Sequence, residues 1–308
     1  MGRKQTGIPI NGWIALDKPS GITSAVAVAR VKRALNAAKV GHGGTLDPLA
    51  TGILPFALGE ATKTVNFAMD GTKTYTFEVT WGAATATDDS EGAVTATSDK
   101  RPSESEIAAA LPRFIGAIQQ VPPVYSAIKV GGERAYAKAR RDEEVVLAAR
   151  TVQVDGFRLN GMTDADHARF EVTCGKGTYI RALVRDLAQA IGTVGHISVL
   201  RRTRCGPFSE KAAISLDNLE ALGHNAAQSA HLLPVATVLD DIPALALTAE
   251  EARRVSSGQA IALWPVAKRS PLSGLVPGMA VQTKCGDKLI AVAEVGDGMV
   301  RPVRVMNH

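Results

Sequence analysis

With 308 residues, 45% of them hydrophobic, the chain holds enough apolar material for a sizeable core and, by length, for about two domains. A formal net charge of +5 and a pI near 9.1 favour an anionic partner, and nucleic acid is the commonest one. The three cysteines, Cys174, Cys205 and Cys285, show no C-x-x-C spacing, which excludes a disulfide framework or a cysteine zinc site and suits a reducing cytoplasm; no run approaches the roughly 18 apolar residues of a spanning helix.

In chain order, MGRKQTG lacks the apolar core of a signal peptide, although Gly2 and Thr6 match the short myristoylation pattern; no second membrane anchor follows. WIALD, 13–17, predicts a buried strand. Residues 23–36 predict a helix capped by Thr23 or Ser24, with Val28, Val31 and Leu35 on one face. TYTFEVTW, 74–81, alternates as a half-buried strand does. Ser103 and Glu106 are spaced as a capping box for a helix over 104–112. VQVDGFRL and ARFEVTC predict paired strands. Residues 178–191 predict a helix whose Ile180, Leu183, Val184, Leu187 and Ile191 face a core, and HISVLRRTR predicts another strand. The last 60 residues predict one helix, 248–257, among short β segments broken by glycine and proline.

Bases and acids are unevenly spread. Residues 1–40 carry seven Lys or Arg against one Asp, whereas 212–252 carry six acids and no Lys or Arg. That acidic stretch contains the proline-bearing run LLPVATVLDDIP, which predicts a domain boundary near residue 245. Without regular βαβ alternation, the expected class is α+β, with a mixed, mainly antiparallel sheet flanked by helices.

The segment 41–52, GHGGTLDPLATG, sets four glycines around His42 and Asp47. Familiar motifs fail here. A G-x-G-x-x-G would need glycine where Leu46 stands, CGKGT lacks the spacing of a P-loop, and HGG has no accompanying G-x-S-x-G. The six histidines show no metal spacing. Asp47 remains as the segment's only ionisable group besides His42, and on its own an Asp-Pro step is ordinary turn chemistry.

The whole string VGHGGTLDPLATGILPFALGEATK, 40–63, closely resembles the signature of the TruB family of tRNA pseudouridine synthases. DKPSGITS (17–24), KTYTFEV (73–79), VPPVYSAIKVGGERAYAKAR (121–140), GKGTYIRALVRDLA (175–188) and LRRTRCGPF (200–208) resemble further family blocks, in family order. The resemblance implies a pseudouridine synthase fold over 10–244, with 121–141 as a flexible flap, and a small β-rich PUA-like RNA-binding domain over 245–308. It implies that Asp47 is the catalytic carboxylate, paired with Arg181, and that Tyr75 stacks on a flipped-out uridine. An enclosed carboxylate needs such a cation, because burial disfavours its charge. His42 matches the residue that fills the gap left in the RNA loop; Tyr179 and Leu200 match pocket-lining positions. Lys18 matches a lysine that supports the catalytic loop. The implied reaction converts uridine to pseudouridine at position 55 in the T-arm loop of tRNA, with neither cofactor nor metal. The expected partner is tRNA, through its T-arm and possibly its acceptor stem, met by a cytoplasmic monomer with no membrane and no obligate protein partner. Lys and Arg in 30–39, 129–141 and 201–204 are expected to meet phosphates. The stretch RRDEEVVLAAR, with three consecutive acids, departs from the family and puts flap contacts in doubt. A non-catalytic RNA-binding or RNA-folding protein on the same surface is the alternative reading, and a guide-RNA-dependent relative a third.

Overall fold

The computed structural model describes residues 7–141, 143–270 and 274–307; the Gly2 and Thr6 acylation pattern and Asp142 of the acidic run lie outside them. Among the described residues, the larger layer is a ten-stranded mixed sheet. Its main path runs Ile214–Ser215, Gly12–Lys18, Thr51–Leu58, Gly195–Cys205, Lys73–Trp81, His167–Cys174, Arg150–Met162, Gly116–Gln120. Neighbours are antiparallel except at two places, where Gly12–Lys18 meets Ile214–Ser215 and where Thr51–Leu58 meets Gly195–Cys205.

Strict alternation builds the middle of this sheet. In Lys73–Trp81 every second side chain, from Lys73 through Tyr75, Phe77 and Val79 to Trp81, is buried. Phe77 stacks on Phe170 at 5.4 Å, and Trp81 meets the same ring edge-on at 6.2 Å. The Ile180–Ile191 helix lays Ile180, Leu183, Val184, Leu187 and Ile191 against the same core and stops where Gly192 turns left-handed. The Ser24–Ala34 helix starts where the Thr23 side chain accepts the Val26 N–H, and Ser103 with Glu106 closes a capping box on Glu104–Ala110.

Among the elements absent from the sequence reading are two that contain proline. Thr51–Leu58 is a strand inside the glycine-rich signature, almost wholly buried, even though Pro55 lies within it. Proline argues against a central strand because it lacks the N–H, but the Pro55 carbonyl still accepts from Gly43. The C-terminal region holds a second helix, Leu263–Arg269, instead of one alone. Its Pro265 sits in the first turn, where a missing N–H forfeits no helical hydrogen bond.

Residues 244–305 form a separate five-stranded sheet with its own core, including Leu245, Val255, Val266, Val281 and Val300. It docks on the larger layer through Leu289, Val292 and Met306, which pack beside Leu239 and Phe67. Lys63 Nζ donates to the Val305 carbonyl at 2.7 Å, and the Asn307 N–H to Glu60 Oε2 at 2.7 Å. No helix among the described residues is long and apolar enough to cross a membrane.

Gly52 is the tightest point of the sheet. Its φ is +97°, and a Cβ there would lie 2.2 Å from the Arg202 carbonyl oxygen, a backbone atom that cannot swing aside. Gly258 has φ +80° with open space around it and isolates the conformational cost. Gly52→Ala is expected to lose at least about 2 kcal/mol more stability than Gly258→Ala, read from urea midpoints. Equal losses would show that the contact is harmless.

Candidate active site

A cleft of about 300 Å³ opens beside the end of the Lys73–Trp81 strand, lined by Asp47, Tyr75, Tyr179, Arg181 and Leu200 among others. That volume is the small end of the usual range for ligand pockets. The strand alternation that buries Phe77 and Trp81 also turns Tyr75 inward, and Tyr75 is 9% exposed. Leu200 and Arg202 face Phe77 and Tyr75 across the next strand pair.

Asp47 lies on a loop without helix or strand, and its side chain remains 34% exposed toward the cleft. Arg181 is the enclosed partner, with a side chain 4% exposed. It sits in the first turn of the Ile180–Ile191 helix, whose apolar face carries it into the core. Its Nε donates to Asp47 Oδ2 at 2.8 Å, Nη1 to the Thr87 carbonyl at 2.7 Å and Nη2 to the Tyr125 carbonyl at 3.0 Å. The carboxylate is therefore expected to be less enclosed than its cation, which leaves its free edge available to a reacting atom.

A second carboxylate, Asp89, was not singled out in the sequence. It is 3% exposed, and its Oδ2 lies 3.6 Å from Arg181 Nε. It accepts from the Thr87 hydroxyl and, at 3.1 Å, from the Glu91 N–H. One guanidinium thus serves two acids, one enclosed and one facing the cleft. ATDDSEG carries no periodicity that would distinguish Asp89 from a turn aspartate.

Further side chains fix the loop on either side of Asp47. The Ser24 hydroxyl donates to the Leu46 carbonyl at 3.0 Å and accepts the Leu46 N–H at 2.9 Å. Lys18, fully buried, donates to the carbonyls of Pro19, Ile22 and Pro48, so its position fits loop support. Arg202 donates to the carbonyls of Gly44 and Thr45 at 3.2 and 3.4 Å. Arg202, 1% exposed, is enclosed rather than on the surface. Of the other bases expected to meet phosphates, Arg201 pairs with Asp17 and Glu210, and Arg30 with Glu220. Strand parity was the missed signal, because Arg202 shares a face with Leu200.

Tyr179 is held from outside its helix. Gln120 donates to its carbonyl at 3.1 Å and accepts its N–H at 2.8 Å, and the Arg150 guanidinium lies 4.9 Å from its ring centre. His42 ends the short Val40–His42 strand and does not line the cleft; its Nδ1 is buried without a hydrogen-bond partner, and burial lowers its pKa. In 121–141, Gly131 and Gly132 turn a two-residue hairpin with φ of +61° and +89°, followed by the Ala135–Ala139 helix. Arg141 there pairs with Glu133 inside the flap and with Glu143 of the acidic run that follows it.

Residues 32–180 match the model of the TruB family pseudouridylate synthase N-terminal domain, and residues 181–240 that of the tRNA pseudouridylate synthase B C-terminal domain. The chain is 53% identical to the tRNA pseudouridine synthase B of Rhodospirillum rubrum over 307 residues, covering 100% of both. It is 53% identical to the protein of that name from Caulobacter vibrioides over 306 residues, covering 99% of each. Among solved structures, a chain in the crystal structure of a Cbf5-Nop10-Gar1 complex is similar with a TM-score of 0.72 and 27% identity, over 96% of this chain and 84% of that one. A chain in the structure of an H/ACA RNP bound to a substrate RNA containing 2'-deoxyuridine shares the fold, with a TM-score of 0.73, 24% identity and coverage of 100% and 92%.

Two measurements test the site. Burial lowers the Lys18 ammonium pKa from 10.5 to about 8, against the upward pull of Asp47. Between those values the unfolded chain holds the proton that the folded chain has released, so the folded state gains stability as pH rises. Below pH 8 the full cost of the enclosed charge remains. Wild type is expected to gain on Lys18→Met across pH 8 to 10.5 in urea titrations, and a flat difference would contradict the enclosure. Arg181→Met leaves Asp89 buried without its cation and is expected to cost about 3–5 kcal/mol, part of which Asp89→Asn restores in the double variant. No recovery would separate Asp89 from the pair.

Proposed function

The chain belongs to the TruB family of pseudouridylate synthases, and we propose that it isomerises uridine to pseudouridine in tRNA, at position 55 of the T-arm loop, with Asp47 as the catalytic carboxylate. The observation that carries this reading is the Arg181–Asp47 pair, 2.8 Å long, at a cleft whose inner wall is Tyr75. RNA binding alone needs no buried guanidinium aimed at a half-exposed carboxylate. Isomerisation does, because the bond between N1 and the ribose C1′ must break, the ring must turn, and C5 must join C1′ while its proton is lost and N1 gains one. Atoms and electrons balance within the nucleotide, so no redox partner is called for.

Each residue then has a task. Arg181 holds the Asp47 carboxylate and aims it into the cleft. Tyr75 stacks on the uridine after it leaves the RNA helix, offsetting part of the few kcal/mol that flipping costs. Tyr179 and Leu200 wall the base, Lys18 holds the loop at Pro48, and His42 fills the space in the RNA loop. The 121–141 flap closes over the T-arm, and 245–308 serves as the PUA-like domain that reaches the acceptor stem. A folded RNA arm is read mainly by shape and by splayed bases, with phosphate contacts that weaken in salt. The protein works in the cytoplasm as a single chain on tRNA, without metal, cofactor or partner.

The test uses an unmodified tRNA transcript and the pure protein in a metal-chelated buffer suited to folded RNA, with pseudouridine mapped at single-nucleotide resolution. Product is expected at position 55 alone. Asp47→Ala is expected to abolish it while tRNA affinity stays within a few-fold. Binding without product by the wild type would return the protein to the non-catalytic reading. Turnover by Asp47→Ala would move the chemistry to another residue.

A further inference from the structure

Charges on the Asp47 side of the cleft are matched, since Arg181 serves both Asp47 and Asp89. On the Tyr75 side they are not. Arg202 and Lys73 both line the cleft, at 1% and 7% exposure. Arg202 donates to the carbonyls of Ile53, Gly44 and Thr45, and Lys73 to those of Met69 and Gly71. All five partners are neutral, and no carboxylate among the described residues forms an ion pair with either side chain. Asp70, the nearest candidate to Lys73 in sequence, is taken by Lys176 at 2.7 Å. A guanidinium remains protonated at every physiological pH, so the positive charge at Arg202 is permanent. Enclosed charges without a counter-ion are costly to fold and are usually paired.

On the isomerisation reading the cleft receives the target uracil, so the anion that these cations lack is one the reaction itself would generate there. Arg202 stands opposite Tyr75 across the strand pair, with its guanidinium carbon 6.0 Å from the Tyr75 ring centre. A uracil lying on Tyr75 therefore sits within the field of that cation, and with little water between them the field is weakly screened. We propose that Arg202, aided by Lys73, is the fixed counter-charge for the uracil anion released when the N1–C1′ bond breaks. This rests on the isomerisation reading above. The bonding pair stays on N1 and its charge spreads to O2 and O4, while C1′ is taken by the Asp47 carboxylate. After the ring turns, C5 attacks C1′, Asp47 leaves with its electron pair, and the C5 proton is exchanged for one on N1. Because the carbonyl tethers hold the guanidinium before substrate arrives, no reorientation is needed as the charge develops.

The experiment compares T-arm stem-loop RNAs carrying uridine or 6-azauridine at the target position. Replacing C6–H by nitrogen makes the base more acidic and leaves O2, O4 and C5–H in place, so its anion depends less on outside stabilisation. Single-turnover rates and RNA affinities are measured for wild type, Arg202→Met and Lys73→Met. On the uridine RNA, Arg202→Met is expected to lose roughly 10²–10³ in rate, with affinity within a few-fold. On the 6-azauridine RNA its loss relative to wild type is expected to be several-fold smaller. Lys73→Met is expected to show the same pattern to a lesser degree. It leaves the Gly44 and Thr45 tethers intact, so it decides the matter if Arg202→Met does not fold. Equal losses on both RNAs would reduce these cations to scaffolding and overturn the proposal. A wild type that makes no pseudouridine from the uridine RNA would overturn the functional reading as well, and the two failures are thereby distinct.

Discussion

Five consecutive residues, Gly44 to Pro48, form no helix or strand, yet each is held by a side chain from elsewhere in the chain. Arg202 takes the carbonyls of Gly44 and Thr45, Ser24 clasps Leu46 on both its backbone groups, Arg181 takes the Asp47 carboxylate, and Lys18 takes the Pro48 carbonyl. A free loop of this length would cost conformational entropy to fix and would wander by more than the reach of a chemical step. The tethers come from four separate elements, so the loop is only as well placed as the sheet that assembles them. Three of the four are enclosed cations; Arg181 is matched by Asp47 and Asp89, whereas Lys18 and Arg202 are held by backbone carbonyls.

Where a segment obeys a single period, its structure was legible. Lys73–Trp81 and Ile180–Ile191 follow from alternation and from the 3.6-residue repeat, and the capping box at Ser103 marks its helix directly. Thr51–Leu58 was not, because Pro55 and Gly52 are breakers whose tolerance depends on neighbouring strands. Leu263–Arg269 was hidden by Pro265 for a related reason, since a proline reads as a stop until its place within the first turn is known. The Asp47–Arg181 pair was reached through family resemblance; no local rule links positions 134 residues apart. Asp89 was missed because only tertiary geometry distinguishes it from the turn around it.

The break between the two matched family models falls between residues 180 and 181, at the start of the helix that carries Arg181. It does not mark a physical boundary. The Gly195–Cys205 strand, beyond that break, lies between Thr51–Leu58 and Lys73–Trp81 in the sheet. The change of core occurs later, where residues from Leu245 onward pack among themselves.

That interleaving has a consequence for how the protein is made. During vectorial synthesis, Thr51–Leu58 and Lys73–Trp81 leave the ribosome long before the strand that joins them, which ends at residue 205 of 308. Until it arrives, both nascent strands present unpaired, apolar edges, and pairing them requires closure of a long intervening stretch of chain. A strand from the middle of the sheet is thus one of its late additions, and the incomplete sheet keeps those edges open for as long as translation takes to reach it.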